Sequence, residues 1–154
     1  MHWVVDGMNL IGSRPDGWWR DRAGARRRLV SDLATLVGPD TEVTVVFDGR
    51  PHGGEVEEAA VLGVTARFAP GGPNAADHAI VALLSSWPDR DPDRDPDRDP
   101  DRDPDRDPDR DRAIHAVTVV TSDVALADAV RGAGVPVEGV RAFRGRLPGP
   151  GDGG

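Results

Sequence analysis

Trp3-Val4-Val5-Asp6-Gly7-Met8-Asn9 is the stretch on which the architecture turns. Three apolar residues, two of them β-branched, run without alternation into an aspartate, a glycine and an asparagine. A continuous apolar run suits a parallel strand buried on both faces, whereas a strand with one wet face alternates. An acid fixed on the end of such a strand faces desolvation without a partner, which makes it costly to keep for packing alone. The pattern recurs. Val43-Thr44-Val45-Val46-Phe47 ends in Asp48-Gly49, and Val117-Thr118-Val119-Val120 ends in Thr121-Ser122-Asp123. Val64-Thr65-Ala66-Arg67-Phe68 and Val135-Pro136-Val137 complete five expected strands.

Helical patterns fill the intervals. Leu29, Leu33, Leu36 and Val37 follow the i, i+4, i+7, i+8 spacing, predicting a helix over 23–37 that carries Arg26, Arg27 and Arg28. A second is expected over 75–87, with Asn74 as its N-cap and Ile80, Leu84 and Trp87 on one stripe. A third follows Ser122, with Leu126 and Val130 inward and Gly132 near its end. A short helix is expected over 55–62. Strand and helix alternating in this way predict an α/β domain with a mainly parallel sheet.

One domain is expected over 1–147, interrupted by a repeat. Residues 88–112 hold 12 Asp, 7 Arg and 6 Pro and nothing apolar. Proline at every fourth position stops a helix, and no side chain there can be buried to offset ordering entropy. The expectation is a disordered insertion in a tolerant loop, with a flexible tail at 148–154. Setting the repeat aside lifts the apolar fraction of the 154-residue chain from 38% to about 45%, an ordinary globular value. It also reduces the net charge from −8 to −3, so acidity says little about partners.

Absences exclude whole chemistries. Without Cys there is no disulfide scaffold, thiol nucleophile or cysteine-ligated metal. Without Lys there is no phosphate-binding GxxxxGK[ST] loop and no Schiff base, since all 19 basic residues are Arg. No GxSxG elbow and no HExxH pair occurs, and Asp48 is followed by Gly49-Arg50 rather than by the second aspartate a haloacid-dehalogenase-like phosphatase requires. No apolar run reaches membrane-spanning length, and a strand at the start leaves no room for a signal peptide. A cytoplasmic protein with no membrane contact is the expectation.

Carboxyl ends of parallel strands share one edge, and the helices that follow them begin there. Asp6, Asp48 and Asp123 each follow a strand, and Asp77 sits in the first turn of the second large helix, so all four are expected on one rim. Each also has a plainer use: Asp48-Gly49 suits a turn, Ser122-Asp123 a helix start, and Asp77 a capping position. Together they form a concentration of charge with no lysine to neutralise it. All-oxygen sites of this kind suit Mg²⁺ or Mn²⁺, which clamp a phosphodiester and acidify an attacking water.

At these residues the sequence resembles the NYN domains and YacP-like proteins of the PIN-like nuclease superfamily. The matching pieces are Val4-Val5-Asp6-Gly7-Met8-Asn9, Val46-Phe47-Asp48-Gly49, Asn74-Ala75-Ala76-Asp77 and Val119-Val120-Thr121-Ser122-Asp123. The resemblance implies a PIN-like three-layer α/β/α sandwich and metal-dependent ribonuclease chemistry, with Asp6, Asp48, Asp77 and Asp123 as catalytic metal ligands. Asn9 and Ser122 match supporting polar positions. RNA is the expected partner, with Arg14, Arg26, Arg27 and Arg28 beside Trp18 and Trp19 as its expected surface, since arginine pairs with phosphate and tryptophan stacks on unpaired bases. A homodimer is left open. The alternatives are a non-catalytic RNA-binding module of the same fold and a phosphatase acting on a small nucleotide.

Overall fold

A computed structural model of the chain describes residues 1–13, 20–51, 53–72, 74–85 and 117–148. The repeat at 88–112, Arg14, Trp18, Trp19, Trp87 and the tail from 149 lie outside the described residues.

The elements are β1 (His2–Asp6), α1 (Gly7–Gly12), α2 (Arg22–Ala34), β2 (Glu42–Asp48), α3 (Glu55–Val61), β3 (Val64–Ala69), α4 (Ala75–Ser85), β4 (Val117–Val120), α5 (Val124–Gly132), β5 (Val137–Glu138) and α6 (Val140–Arg144). Five strands form one sheet in the order β3-β2-β1-β4-β5, every neighbouring pair parallel. Successive side chains leave a strand on opposite faces, so each continuous apolar run supplies two cores. Trp3, Val5, Val43, Val45 and Phe47 pack on one face with Leu10 of α1, Leu29 and Leu33 of α2, Ala59 of α3 and Phe143 of α6. Val4, Val46 and Val119 pack on the other with Ile80 and Leu84 of α4 and Leu126 and Val130 of α5. This is the expected three-layer α/β/α arrangement. At about 1.5–3 kcal/mol for each large side chain fully buried, these two clusters dominate what holds the layers together.

Two short helices escape the periodicity reading. α1 and α6 span six and five residues, too few turns to display a stripe. α1 can start directly on β1 because residue 7 is glycine: a Cβ there would stand 2.5 Å from the Phe47 ring and 2.9 Å from Val45. Boundaries also shift for local reasons. α2 begins one residue earlier than expected, because Asp21 caps it through the Gly24 N–H at 2.9 Å. It ends at Ala34, and Leu36 and Val37 pack against the first core from the turn that follows. β5 starts at Val137 instead of Val135, since Pro136 has no N–H for the ladder and contributes only its carbonyl, to Val119.

Asn74 has φ +66°, and although its carbonyl accepts the first helical bond of α4, from His78, the side-chain acceptor at this terminus is Asp48. The arginine run on α2 is also corrected. Arg26 is buried, donates to both Glu55 oxygens at 3.2 and 3.0 Å, and lies over the Phe68 ring. Burial of its long stem against β3 requires the ion pair, and this removes Arg26 from the solvated face.

Candidate active site

The chain steps outward from β1 through β2 to β3 and then returns to lay β4 against the other side of β1. Strand order therefore reverses between β1 and β4, and the crevice at their carboxyl ends is where open parallel sheets leave space for a ligand. Asp6 closes β1 at this point, and Thr121, Ser122 and Asp123 follow β4.

Asp6 is 5% exposed. One carboxylate oxygen accepts the Asn9 N–H at 3.4 Å, capping α1, and the other accepts the Thr121 hydroxyl at 3.2 Å. Burial, the largest influence, pushes its pKa up to about 6. The Asn9 N–H pulls the other way, the charge of Asp77 pushes up again, the Thr121 hydroxyl opposes, and Asp48 adds a smaller upward push.

The other carboxylates arrive from separate elements. In the sheet register Asp6 lies beside Val46, and alternation puts Asp6 and Asp48 on the face covered by α4 and α5. Asp48 reaches across to accept the Ala76 N–H at 2.9 Å, so the second strand caps the fourth helix. Asp77, one residue further, has its pKa raised by partial burial first, then by the charges of Asp123 and Asp48, while His78 opposes. Asp123 caps α5 through the Leu126 N–H at 2.9 Å. All four predicted acids thus meet in one electrostatic neighbourhood at the mouths of α1, α4 and α5. Their plainer use is real as well, because three of them cap helices. Helix N-termini offset part of the negative charge, yet none of the four forms an ion pair with a described arginine.

Asn9 and Ser122 brace this rim. The Asn9 side-chain oxygen accepts the Ser122 N–H at 2.8 Å, and the Ser122 hydroxyl accepts the Val140 N–H at 2.9 Å. One chain of bonds thereby links α1, the β4–α5 turn and α6. Sequence reasoning missed Thr121, which is buried and holds Asp6 and the Asp123 N–H together. The available signal was a hydroxyl placed directly on the end of an apolar strand.

Among the described residues no three His, Asp or Glu side chains stand close enough to form a ready metal site. The donor chemistry nevertheless fits a hard cation. Mg²⁺ retains several waters and is commonly held by one or two carboxylates together with substrate phosphates, so a closed protein cage is not required.

The expected RNA surface is rearranged. Arg26 is committed to Glu55, and Arg27 pairs with Glu58 at 3.1 Å on the surface, leaving Arg28 as the exposed member of the run without an ion pair. No helix among the described residues is long and apolar enough to cross a membrane.

No family model matches the sequence, and no curated protein is similar enough to match it. Among solved structures, Rae1 (YacP) from Bacillus subtilis, in a mutant form, aligns with a TM-score of 0.58 at 21% identity, covering 94% of this chain and 74% of that one. The chain shares the α/β fold of Rae1 (YacP).

Proposed function

We propose that this chain is a metal-dependent ribonuclease that hydrolyses RNA phosphodiester bonds at the rim of Asp6, Asp48, Asp77 and Asp123. One observation carries the reading: four electrostatically coupled carboxylates at the strand-order reversal, none neutralised by a described arginine. Structural likeness to Rae1 (YacP) supports it, because the motifs at these acids resemble YacP-like proteins. Asp6, Asp48, Asp77 and Asp123 would hold Mg²⁺ or Mn²⁺ between them. When bound, such a cation lowers the pKa of an attacking water and stabilises charge on the phosphate.

The protein's own contribution is placement. Thr121 fixes Asp6, Asn9 fixes the β4–α5 turn, and Ser122 fixes α6, so the carboxylates enter the reaction without reorganising. Burial raises the pKa of Asp6 to about 6, below pH 7, so at neutral pH it is mainly ionised and able to serve as a ligand.

A non-catalytic RNA-binding module is the second reading, favoured by the lack of any close group of three ligands among the described residues. Incubating the full chain with labelled RNA in Mn²⁺, Mg²⁺ or chelator, beside Asp6→Asn, separates the two. Cleavage only with metal, lost in Asp6→Asn, is expected. Equal RNA retention in metal and chelator without cleavage would assign the binding module.

A further inference from the structure

We propose that Arg50 and Arg67 form a phosphate-binding subsite beside Asp48, which grips the RNA backbone next to the scissile bond; this rests on the ribonuclease reading above. Of the arginines expected to hold RNA, Arg26 is buried against Glu55 and Arg27 is paired with Glu58. A phosphate track needs cations whose donors are uncommitted and which stand beside the chemistry.

Arg50 and Arg67 meet both conditions. Each is exposed, and neither guanidinium forms a hydrogen bond or ion pair with another described residue. Arg50 lies two residues beyond Asp48, on the turn where Gly49 takes φ +97° and donates its N–H to the Ala69 carbonyl. That bond ties the end of β2 to the end of β3 and keeps Arg50 at the carboxyl edge.

Arg67 is placed by register. Asp6 lies beside Val46, and Val46 beside Arg67, in one row across β1, β2 and β3. With strands about 4.8 Å apart, the Arg67 backbone is roughly 10 Å from that of Asp6, on the same face of the sheet. Asp48 stands one strand over and two residues further along that face. β3 is the edge strand of the sheet, and Arg67 is exposed on it.

Charge explains why the pair belongs to a ligand. An exposed arginine near an acid commonly closes a surface ion pair, yet Asp48 spends one oxygen on the Ala76 N–H and pairs with neither. The planar guanidinium fork suits two oxygens of one phosphate, and one fork on the turn after β2 with a second on β3 suits a phosphodiester crossing the sheet edge. The remaining exposed arginines without partners, Arg20, Arg28, Arg131 and Arg141, belong to α2 and its approach or to segments following β4 and β5. Of these, Arg141 follows Val140 at the start of α6, on the β4–β5 side of the rim, across β1 from Asp48 and the β2–β3 edge.

The test uses the full chain with a labelled single-stranded RNA. Retention is measured in chelator across a salt series, and cleavage kinetics in Mn²⁺. Arg50→Gln and Arg67→Gln should each flatten the salt dependence, by about 0.7 in the log–log slope for every phosphate no longer neutralised. Each should also raise KM about tenfold, with a smaller change in kcat. Arg50→Lys keeps the charge and should restore the slope, though not the full affinity. Arg131→Gln, at the far end of α5, should change neither quantity. If both Gln variants keep the wild-type slope and KM, or if Arg28→Gln alone flattens the slope, the subsite is overturned. Wild-type protein that binds RNA but never cuts it sinks the nuclease reading, while the slopes still decide the subsite. Wild-type protein that neither binds nor cuts RNA overturns both.

Discussion

The Thr121 hydroxyl donates to Asp6 at 3.2 Å and accepts the Asp123 N–H at 3.1 Å, so one buried side chain couples the acids that end β1 and follow β4. Thr121→Val keeps the shape and removes both bonds. A missing bond to a charged group, together with an orphaned N–H, should destabilise the fold by about 1–3 kcal/mol in urea titrations. The Asp6 pKa should also rise, because this hydroxyl holds it down. Thr121→Ser, which retains the hydroxyl, should recover most of both losses. Equal stability of the Val and Ser variants would show that the hydroxyl carries no weight.

The raised pKa of Asp6 sets a pH dependence with a definite sign. Its folded value of about 6 lies above the ordinary aspartate value of 3.8, so between those values the folded state holds the proton more tightly. Stability from this group is therefore greatest at low pH and falls as pH rises through 6, by about 3 kcal/mol in all. Asp77 shifts in the same direction. In chelator, wild type should lose stability relative to Asp6→Asn between pH 4 and pH 7. A constant difference between the two proteins across that range would mean that Asp6 titrates normally.

Burial of an arginine on α2 has a thermodynamic consequence. Arg26 and Glu55 are both buried, with side chains 8% and 5% exposed, so Arg26→Met removes the cation that donates to both Glu55 oxygens and should cost up to about 3–5 kcal/mol. Arg26→Met with Glu55→Leu should cost much less than the sum of the single changes. The exposed pair Arg27–Glu58 should contribute at most about 1 kcal/mol and fade in salt. Denaturation of the four variants completing the Arg26–Glu55 cycle gives the coupling directly, and additive losses would contradict a buried pair.

How far the residues announce this structure depends on the range of the interaction involved. The parallel sheet was legible because Val4-Val5 and Val43 to Phe47 carry their two-sided burial in composition, whatever their neighbours. The four acids were legible because each sits at a strand end or in a first helical turn. What stayed hidden depends on pairs distant in sequence. Arg26 reads as surface until Glu55, 29 residues away, is folded beside it. Asn74 reads as a cap until Asp48 takes the α4 N–H from another strand. Thr121 reads as a strand-end residue until the fold brings it 3.2 Å from Asp6, 115 positions away.

Asp48 allows the cation reading to be tested apart from catalysis. Its first oxygen caps α4, and Asp48→Asn can retain that oxygen, so the substitution removes charge while leaving the cap in place. In chelator the variant should be at least as stable as wild type, because the push that Asp48 exerts on Asp6 and Asp77 is gone. In Mn²⁺ the order should reverse. A cation bound only by the folded state stabilises it by RT ln(1 + [L]/Kd), about 2.7 kcal/mol at a hundredfold excess over Kd, and the variant has one donor fewer. Asp48→Ala separates the two roles further. It loses the cap as well and should fall about 1 kcal/mol below Asp48→Asn in both conditions. Melting curves of the three proteins, with chelator and with Mn²⁺, decide the matter. If Mn²⁺ raises all three melting temperatures equally, Asp48 serves α4 alone and the cation is held elsewhere on the rim.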